Sequence, residues 1–154
     1  MKKIYYTHSD MNHMYQEVIR GMSHAQYKPD CIIGLSRGGL DFAVKISHWY
    51  DDVPMHCLEW QTRDGQFRDT DRLAHLLQEY AGKNVLIVDD ILDSGTTLID
   101  IAQACNLPAG QCYVDFAVAI LNTDIDFCIS WHGSEISRSD DDSWIVFPWE
   151  NWWG

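Results

Sequence analysis

Val85-Leu86-Ile87-Val88-Asp89-Asp90-Ile91-Leu92-Asp93-Ser94-Gly95-Thr96-Thr97-Leu98 places three physical elements in one stretch. Val85 to Val88 are consecutive apolar, mostly β-branched residues, the pattern of a strand buried on both faces of a parallel sheet. Asp89 and Asp90 put two carboxylates at the carboxyl end of that strand, where open α/β sheets hold their ligands. Asp93 to Thr97 form a small hydroxylic turn that leads into a helix whose apolar stripe begins with Leu98, Ile99, Ile101 and Ala102. Free N–H groups at a helix start bind phosphate, and the Ser and Thr hydroxyls add donors. Phosphate on the turn beside diol-binding acids suits a phosphorylated ribose. A receiver domain also opens on a Val-Leu-Ile-Val-Asp-Asp run. That alternative fails because the stretch lies mid-chain and no lysine follows Lys83 to partner an acidic pocket.

Working outward, Cys31 to Leu35 reads as a second buried strand, followed by Ser36-Arg37-Gly38-Gly39 and a helix carrying Leu40, Phe42, Ala43, Val44, Ile46 and Trp49. Two glycines permit close backbone approach to a ligand, and the arginine supplies a planar donor fork. Val53 to Trp60 is a further strand. Residues 61–70 lack apolar periodicity and carry Arg63, Gly65 and Arg68, the composition of a polar lid over anions. Leu73, Leu76, Leu77 and Tyr80 mark a helix that stops near Gly82. Met11, Met14, Tyr15, Val18, Ile19 and Met22 mark another over residues 10–25, with Ser9 or Asp10 expected as its N-cap. After the central helix, Pro108 and Gly110 predict a turn and Cys112 to Leu121 a buried strand. The alternation predicts an α/β fold: a doubly wound, mostly parallel sheet flanked by helices, with right-handed crossovers. Residues 122–143 read as polar and irregular, with Asp140-Asp141-Asp142 as a solvated turn, before an aromatic tail.

The central stretch resembles the phosphoribosyl diphosphate (PRPP) signature of the type I phosphoribosyltransferases. Ser36 to Leu40 resembles their diphosphate loop, in the form of the xanthine–guanine branch, where the loop peptide is often cis. Trp144-Ile145 and Pro148-Trp149-Glu150 resemble the C-terminal hood of the xanthine–guanine and archaeal hypoxanthine–guanine enzymes. The resemblance implies a single domain over residues 1–154, with a flap at about 61–70 and a hood at about 122–154. It implies transfer of 5-phosphoribosyl from PRPP to a purine such as guanine, xanthine or hypoxanthine, with Mg²⁺. By the same resemblance Asp89 and Asp90 hold ribose hydroxyls and the metal, and Asp93 takes the base proton. Ser94, Gly95, Thr96 and Thr97, with Asp93, cradle the 5′-phosphate; Ser36, Arg37, Gly38, Arg63 and Arg68 bind diphosphate. Trp144 stacks on the base and Ile145 reads it through its backbone. The sequence departs from the pattern at one residue: the strand at 112–121 lacks the lysine that contacts a purine 6-oxygen, so Asn122 is the expected substitute donor and a base other than a 6-oxopurine remains an alternative. A second alternative is a non-catalytic sensor of PRPP or nucleotides on the same fold.

A net charge of −12 argues against nucleic acid or an anionic membrane as partner. Five cysteines without Cys-x-x-Cys spacing and seven histidines without ligand spacing point to reduced thiols and away from zinc. No apolar run reaches membrane-spanning length and the first residues lack the apolar core of a signal peptide, so a cytoplasmic protein is expected. The seven tryptophans, four of them at or after residue 144, call for burial in a core or in a homodimer or homotetramer interface.

Overall fold

A computed structural model describes residues 1–62, 66–105 and 112–154. In chain order the elements are β1 (Lys3–Tyr5), α1 (His8–His24), β2 (Cys31–Ser36), α2 (Leu40–Trp49), β3 (Met55–Gln61), β4 (Phe67–Arg68), α3 (Thr70–Glu79), β5 (Asn84–Leu92), α4 (Thr96–Cys105), β6 (Tyr113–Asn122), β7 (Trp131–Ile136), β8 (Trp144–Val146) and a short 3₁₀ turn, Pro148–Glu150. Six strands form one sheet in the order β4-β3-β2-β5-β6-β7, parallel throughout except for β4. This is the doubly wound, mostly parallel sheet flanked by helices that the alternating pattern predicts.

The unbroken apolar runs follow from burial on both faces, because successive side chains of a strand point to opposite sides. Ile32, Leu86, Val88, Ala117 and Ala119 face one layer with Met11, Met14, Val18 and Met22 of α1 and Phe42, Ala43 and Ile46 of α2. Their neighbours Ile33, Leu35, Val85, Ile87 and Val118 face the other, with Leu73, Leu76 and Leu77 of α3 and Leu98 and Ile101 of α4. The methionine stripe of α1 is therefore core, fully or almost fully buried along its length.

Three local expectations are corrected, and one strand is added. Helix α1 starts earlier than Ser9 or Asp10 because Thr7 is the cap: its Oγ1 accepts from Asp10 N at 3.0 Å while Asp10 Oδ2 accepts from Thr7 N at 2.8 Å, a reciprocal capping box. Residues 122–143 are not irregular throughout, since Trp131–Ile136 adds a parallel strand to β6. The first residues also form a strand: β1 pairs in parallel with β8 as a separate two-stranded sheet. Finally, part of the 61–70 segment is a hairpin, with Trp60 opposite Arg68 and Gln61 opposite Phe67. Arg63 and Gly65 of that segment, and the turn expected at Pro108 and Gly110, lie outside the described residues. Among the described residues no helix is long and apolar enough to cross a membrane.

Candidate active site

The sheet positions the site through unequal ladders. Strand β2 pairs with β5 only as far as Gly34–Val88, whereas β5 continues beside β6 to Leu92–Leu121. Beyond Val88 the β2-facing side of β5 is open, and chain order reverses there, with β3 on one side of β2 and β5 on the other. Such a switch point is where doubly wound sheets bind ligands. Asp89 and Asp90 occupy the opening, with a cavity of about 590 Å³ beside them. Residues 89–98 line it together with Trp60, Gln61, Thr62, Arg138, Trp144 and Ile145.

The acid pair is preorganised by the backbone. Asp89 Oδ1 accepts from Asp90 N at 2.9 Å and Asp90 Oδ1 from Ile91 N at 2.7 Å. Burial raises the Asp89 carboxyl well above its usual range, and the adjacent Asp90 charge adds to this. Burial likewise pushes Asp90 up to about 6, against the hydrogen bonds that favour its charged form, with Glu150 a further raising charge. A half-buried pair of carboxylates that resists ionising when alone is suited to a cation or to sugar hydroxyl donors.

The turn after β5 can present donors to an anion. Gly95 has φ +83°, and a Cβ there would also stand 2.8 Å from Ile125 Cγ2, so no other residue fits. Ser94 Oγ accepts from Thr96 N at 3.3 Å and lies 3.0 Å from Thr96 Oγ1. Helix α4 then begins at Thr96, presenting its first N–H groups and the positive end of its dipole to the cavity side.

The second loop arrives from β2. The Ser36–Arg37 peptide is cis, as the resemblance implied. Gly38 packs so closely on the acid pair that a Cβ would lie 2.1 Å from Asp90 Oδ2. Gly38 thus stands against Asp90, and none of Ser36, Arg37 and Gly38 lines the cavity. Arg37 is exposed, and Ser36 Oγ makes a long 3.5 Å bond to Leu58 O.

Trp144 and Ile145 of β8 also line the cavity. Trp144 N donates to Lys2 O at 2.8 Å and Val146 O accepts from Tyr6 N at 3.0 Å, so the alternate residues Trp144 and Val146 of β8 direct their backbone groups to the β1 side. Strand alternation sends the Ile145 N–H and C=O to the other, unpaired edge of β8. The Ile145 side chain is buried, whereas Trp144 keeps 47% of its surface exposed at the cavity.

Two further expected residues, Asn122 and Arg68, stand elsewhere. Asn122 is 3% exposed and does not line the cavity. Its Nδ2 donates to Asp93 O at 2.9 Å and its Oδ1 accepts from Asp124 N at 3.1 Å, so the amide ties the loop after β5 to the loop after β6. Arg68 is ion-paired to Asp100 of α4, which also accepts from Trp60 Nε1 at 2.9 Å, and it too does not line the cavity. Arg63 lies outside the described residues. The residue that the sequence reading left without a role is Arg138. Its Nε donates to Asp93 Oδ1 at 2.8 Å and its Nη2 to Asp93 Oδ2 at 3.0 Å, a bidentate clamp on the central carboxylate. The signal was present in the sequence: Arg138 is the only lysine or arginine after Lys83.

The donor set fits magnesium in a limited sense. Asp89 and Asp90 offer hard carboxylate oxygens, and their mutual repulsion favours a cation. Among the described residues, however, no group of three or more ligand-type side chains is arranged to hold a metal. That suits an ion held by one or two carboxylates plus waters and substrate phosphates, the usual habit of Mg²⁺.

Comparison with known proteins agrees with this geometry. The phosphoribosyl transferase domain family matches residues 3–150. The xanthine-guanine phosphoribosyltransferase of Cereibacter sphaeroides is 27% identical over 133 residues, which are 77% of this chain and 68% of that protein. The purine phosphoribosyltransferase of Pyrococcus horikoshii is 25% identical, with TM-score 0.75 over 98% of this chain and 95% of the other. The Helicobacter pylori xanthine-guanine-hypoxanthine phosphoribosyltransferase superposes with TM-score 0.73 at 17% identity, covering 97% and 94%. A match over nearly all of the chain, on a fold that brings an acid pair and a hydroxyl-rich turn to one crevice, shows that this protein belongs to the phosphoribosyltransferase family and is an enzyme of that kind.

Proposed function

We propose that the protein transfers 5-phosphoribosyl from PRPP to a ring nitrogen of a 6-oxopurine (guanine, xanthine or hypoxanthine), releasing diphosphate and forming a nucleoside 5′-monophosphate in base salvage. The observation that carries this is the junction, in one cavity, of the acid pair, the Ser94–Thr97 turn and the Trp144–Ile145 platform. The similarity to xanthine-guanine and purine phosphoribosyltransferases supports a purine acceptor.

In this reading the Ser94, Gly95, Thr96 and Thr97 amides and hydroxyls hold the 5′-phosphate, fixing the ribose over Asp89 and Asp90. These two carboxylates face the ribose hydroxyls and stabilise the positive charge that builds at C1 as its bond to diphosphate breaks. Asp89 and Asp90 would hold Mg²⁺, which would supply positive charge against the departing diphosphate. The Ser36–Gly38 loop receives the diphosphate, with Arg37 close enough in sequence to supply charge. The base lies on Trp144, whose indole face suits a flat heterocycle, and its edge meets the free Ile145 backbone. Its nitrogen lone pair attacks C1 as diphosphate leaves, and the displaced N–H proton passes to Asp93. Each Asp93 oxygen accepts one hydrogen from Arg138 and keeps a further lone pair for that proton.

The test is incubation with PRPP, Mg²⁺ and a panel of guanine, xanthine, hypoxanthine, adenine, uracil and orotate, with nucleotides resolved by mass. Nucleotides from 6-oxopurines are expected. Formation only from pyrimidines, or from none of the panel, would remove the purine reading.

A further inference from the structure

The base end of the cavity has one cation among the described residues, Arg138, and its hydrogen-bonding capacity is only partly spent. A guanidinium carries five N–H donors. Among the described residues three are committed: Nε to Asp93 Oδ1, one hydrogen of Nη2 to Asp93 Oδ2, and one hydrogen of Nη1 to Ser143 O at 2.5 Å. One hydrogen therefore remains on each terminal nitrogen, in a plane that the bidentate clamp fixes. The hydrogen bonds to Asp93 also hold the Arg138 proton more tightly than usual, so the group stays cationic at every relevant pH.

The backbone around it is equally constrained. Ser137 Oγ donates to Asp124 Oδ1 at 2.9 Å and Ser139 N to Asp124 Oδ2 at 2.8 Å, so the residues on both sides of Arg138 are tied to one carboxylate. Arg138 N itself is 3.4 Å from Asn122 Oδ1. Its side chain retains 23% exposure, in a cavity shared with Trp144 and Asp93. A preorganised, unspent donor pair beside an aromatic platform recognises an acceptor in the plane of a stacked ring.

We propose that Arg138 determines base specificity, donating its two uncommitted N–H groups to an exocyclic oxygen of the incoming base and so selecting oxopurines over aminopurines. The inference rests on the purine reading above and adds a residue and a discriminating contact to it. An exocyclic amino group at the same place would set donor against donor beside a fixed positive charge. Arg138 also holds Asp93 in its orientation, so its loss affects turnover as well; the ratio between bases separates the two roles.

The experiment measures kcat/KM for hypoxanthine, guanine and adenine, and KM for PRPP, in the wild type, R138Q, R138M and R138K. The wild type should favour the oxopurines. In R138Q and R138M the oxopurine-to-adenine ratio should fall about 100-fold, with the PRPP KM changed less than threefold. R138K should recover part of the ratio, since it restores charge without the planar fork. A uniform fall in kcat/KM for all three bases, ratio unchanged, would make Arg138 a structural residue and overturn the inference while leaving the purine reading intact. Wild-type preference for adenine would also overturn it, again without touching phosphoribosyl transfer. A wild type that accepts none of these bases, nor xanthine, would defeat both.

Discussion

The acid pair at the end of β5 should cost the folded protein stability at neutral pH, and replacing Asp90 with Asn should recover it. Burial moves the Asp90 carboxyl from an ordinary 3.8 to about 6. The sign follows from proton binding. Between pH 4 and 6 the folded protein holds a proton that the unfolded chain has released, so stability falls as pH rises through this window and the full cost persists above it. A displacement of that size corresponds to about 3 kcal/mol at pH 8, and Asp89 shifts in the same direction. Asn keeps an oxygen for the Ile91 N–H bond, so the substitution removes charge with little loss of geometry. Urea denaturation at pH 8 should therefore show D90N more stable than wild type by about 1–3 kcal/mol, the range allowing for partial relaxation of the site. The gap should shrink as the pH is lowered toward 5. Mg²⁺ with diphosphate should stabilise the wild type and have a weaker effect on D90N. Equal stability at pH 8, or a gap that widens toward pH 5, would show that the pair is not a strained, cation-seeking site.

Three further outcomes test separate parts of the cavity. D93N should reduce turnover at least 100-fold while the affinity for PRPP, read by calorimetry, stays within a few-fold of wild type; undiminished turnover would remove the proton-accepting role. W144A should raise the KM for the base about 2- to 10-fold with little change in the KM for PRPP, and an effect on PRPP alone would relocate the base. G95A forces a side chain into a left-handed turn and toward Ile125, so thermal melting should show a loss of about 1–3 kcal/mol together with weaker 5′-phosphate binding.

The parts of the fold legible in the sequence were those whose residues carry their own pattern. The runs at Cys31–Leu35 and Val85–Val88 are buried on both faces of the sheet, and that burial is what makes them continuous. The parts that escaped reading depend on a partner distant in sequence. Trp131–Ile136 has no apolar run and becomes a strand because the edge of β6 offers a ladder. Lys3–Tyr5 is a strand only because Trp144–Val146 lies beside it. The site shows the same division. The Asp89–Thr97 stretch announces its chemistry locally, through spacing along one strand and one turn. Arg138 acquires its place only when Asp124 fastens Ser137 and Ser139 and brings the guanidinium onto Asp93 from 45 positions away. Asn122 shows the converse. Its type and position suggested a donor to the base, but burial turned its amide to joining two loops.

The most direct test of phosphoribosyl transfer to a purine is a balance of products. With PRPP, Mg²⁺ and hypoxanthine or guanine, the protein should release diphosphate and form the corresponding 5′-monophosphate in equal amounts, each increase in one matched by the other. Diphosphate released without nucleotide, or PRPP left unconsumed beside either base, would contradict the account.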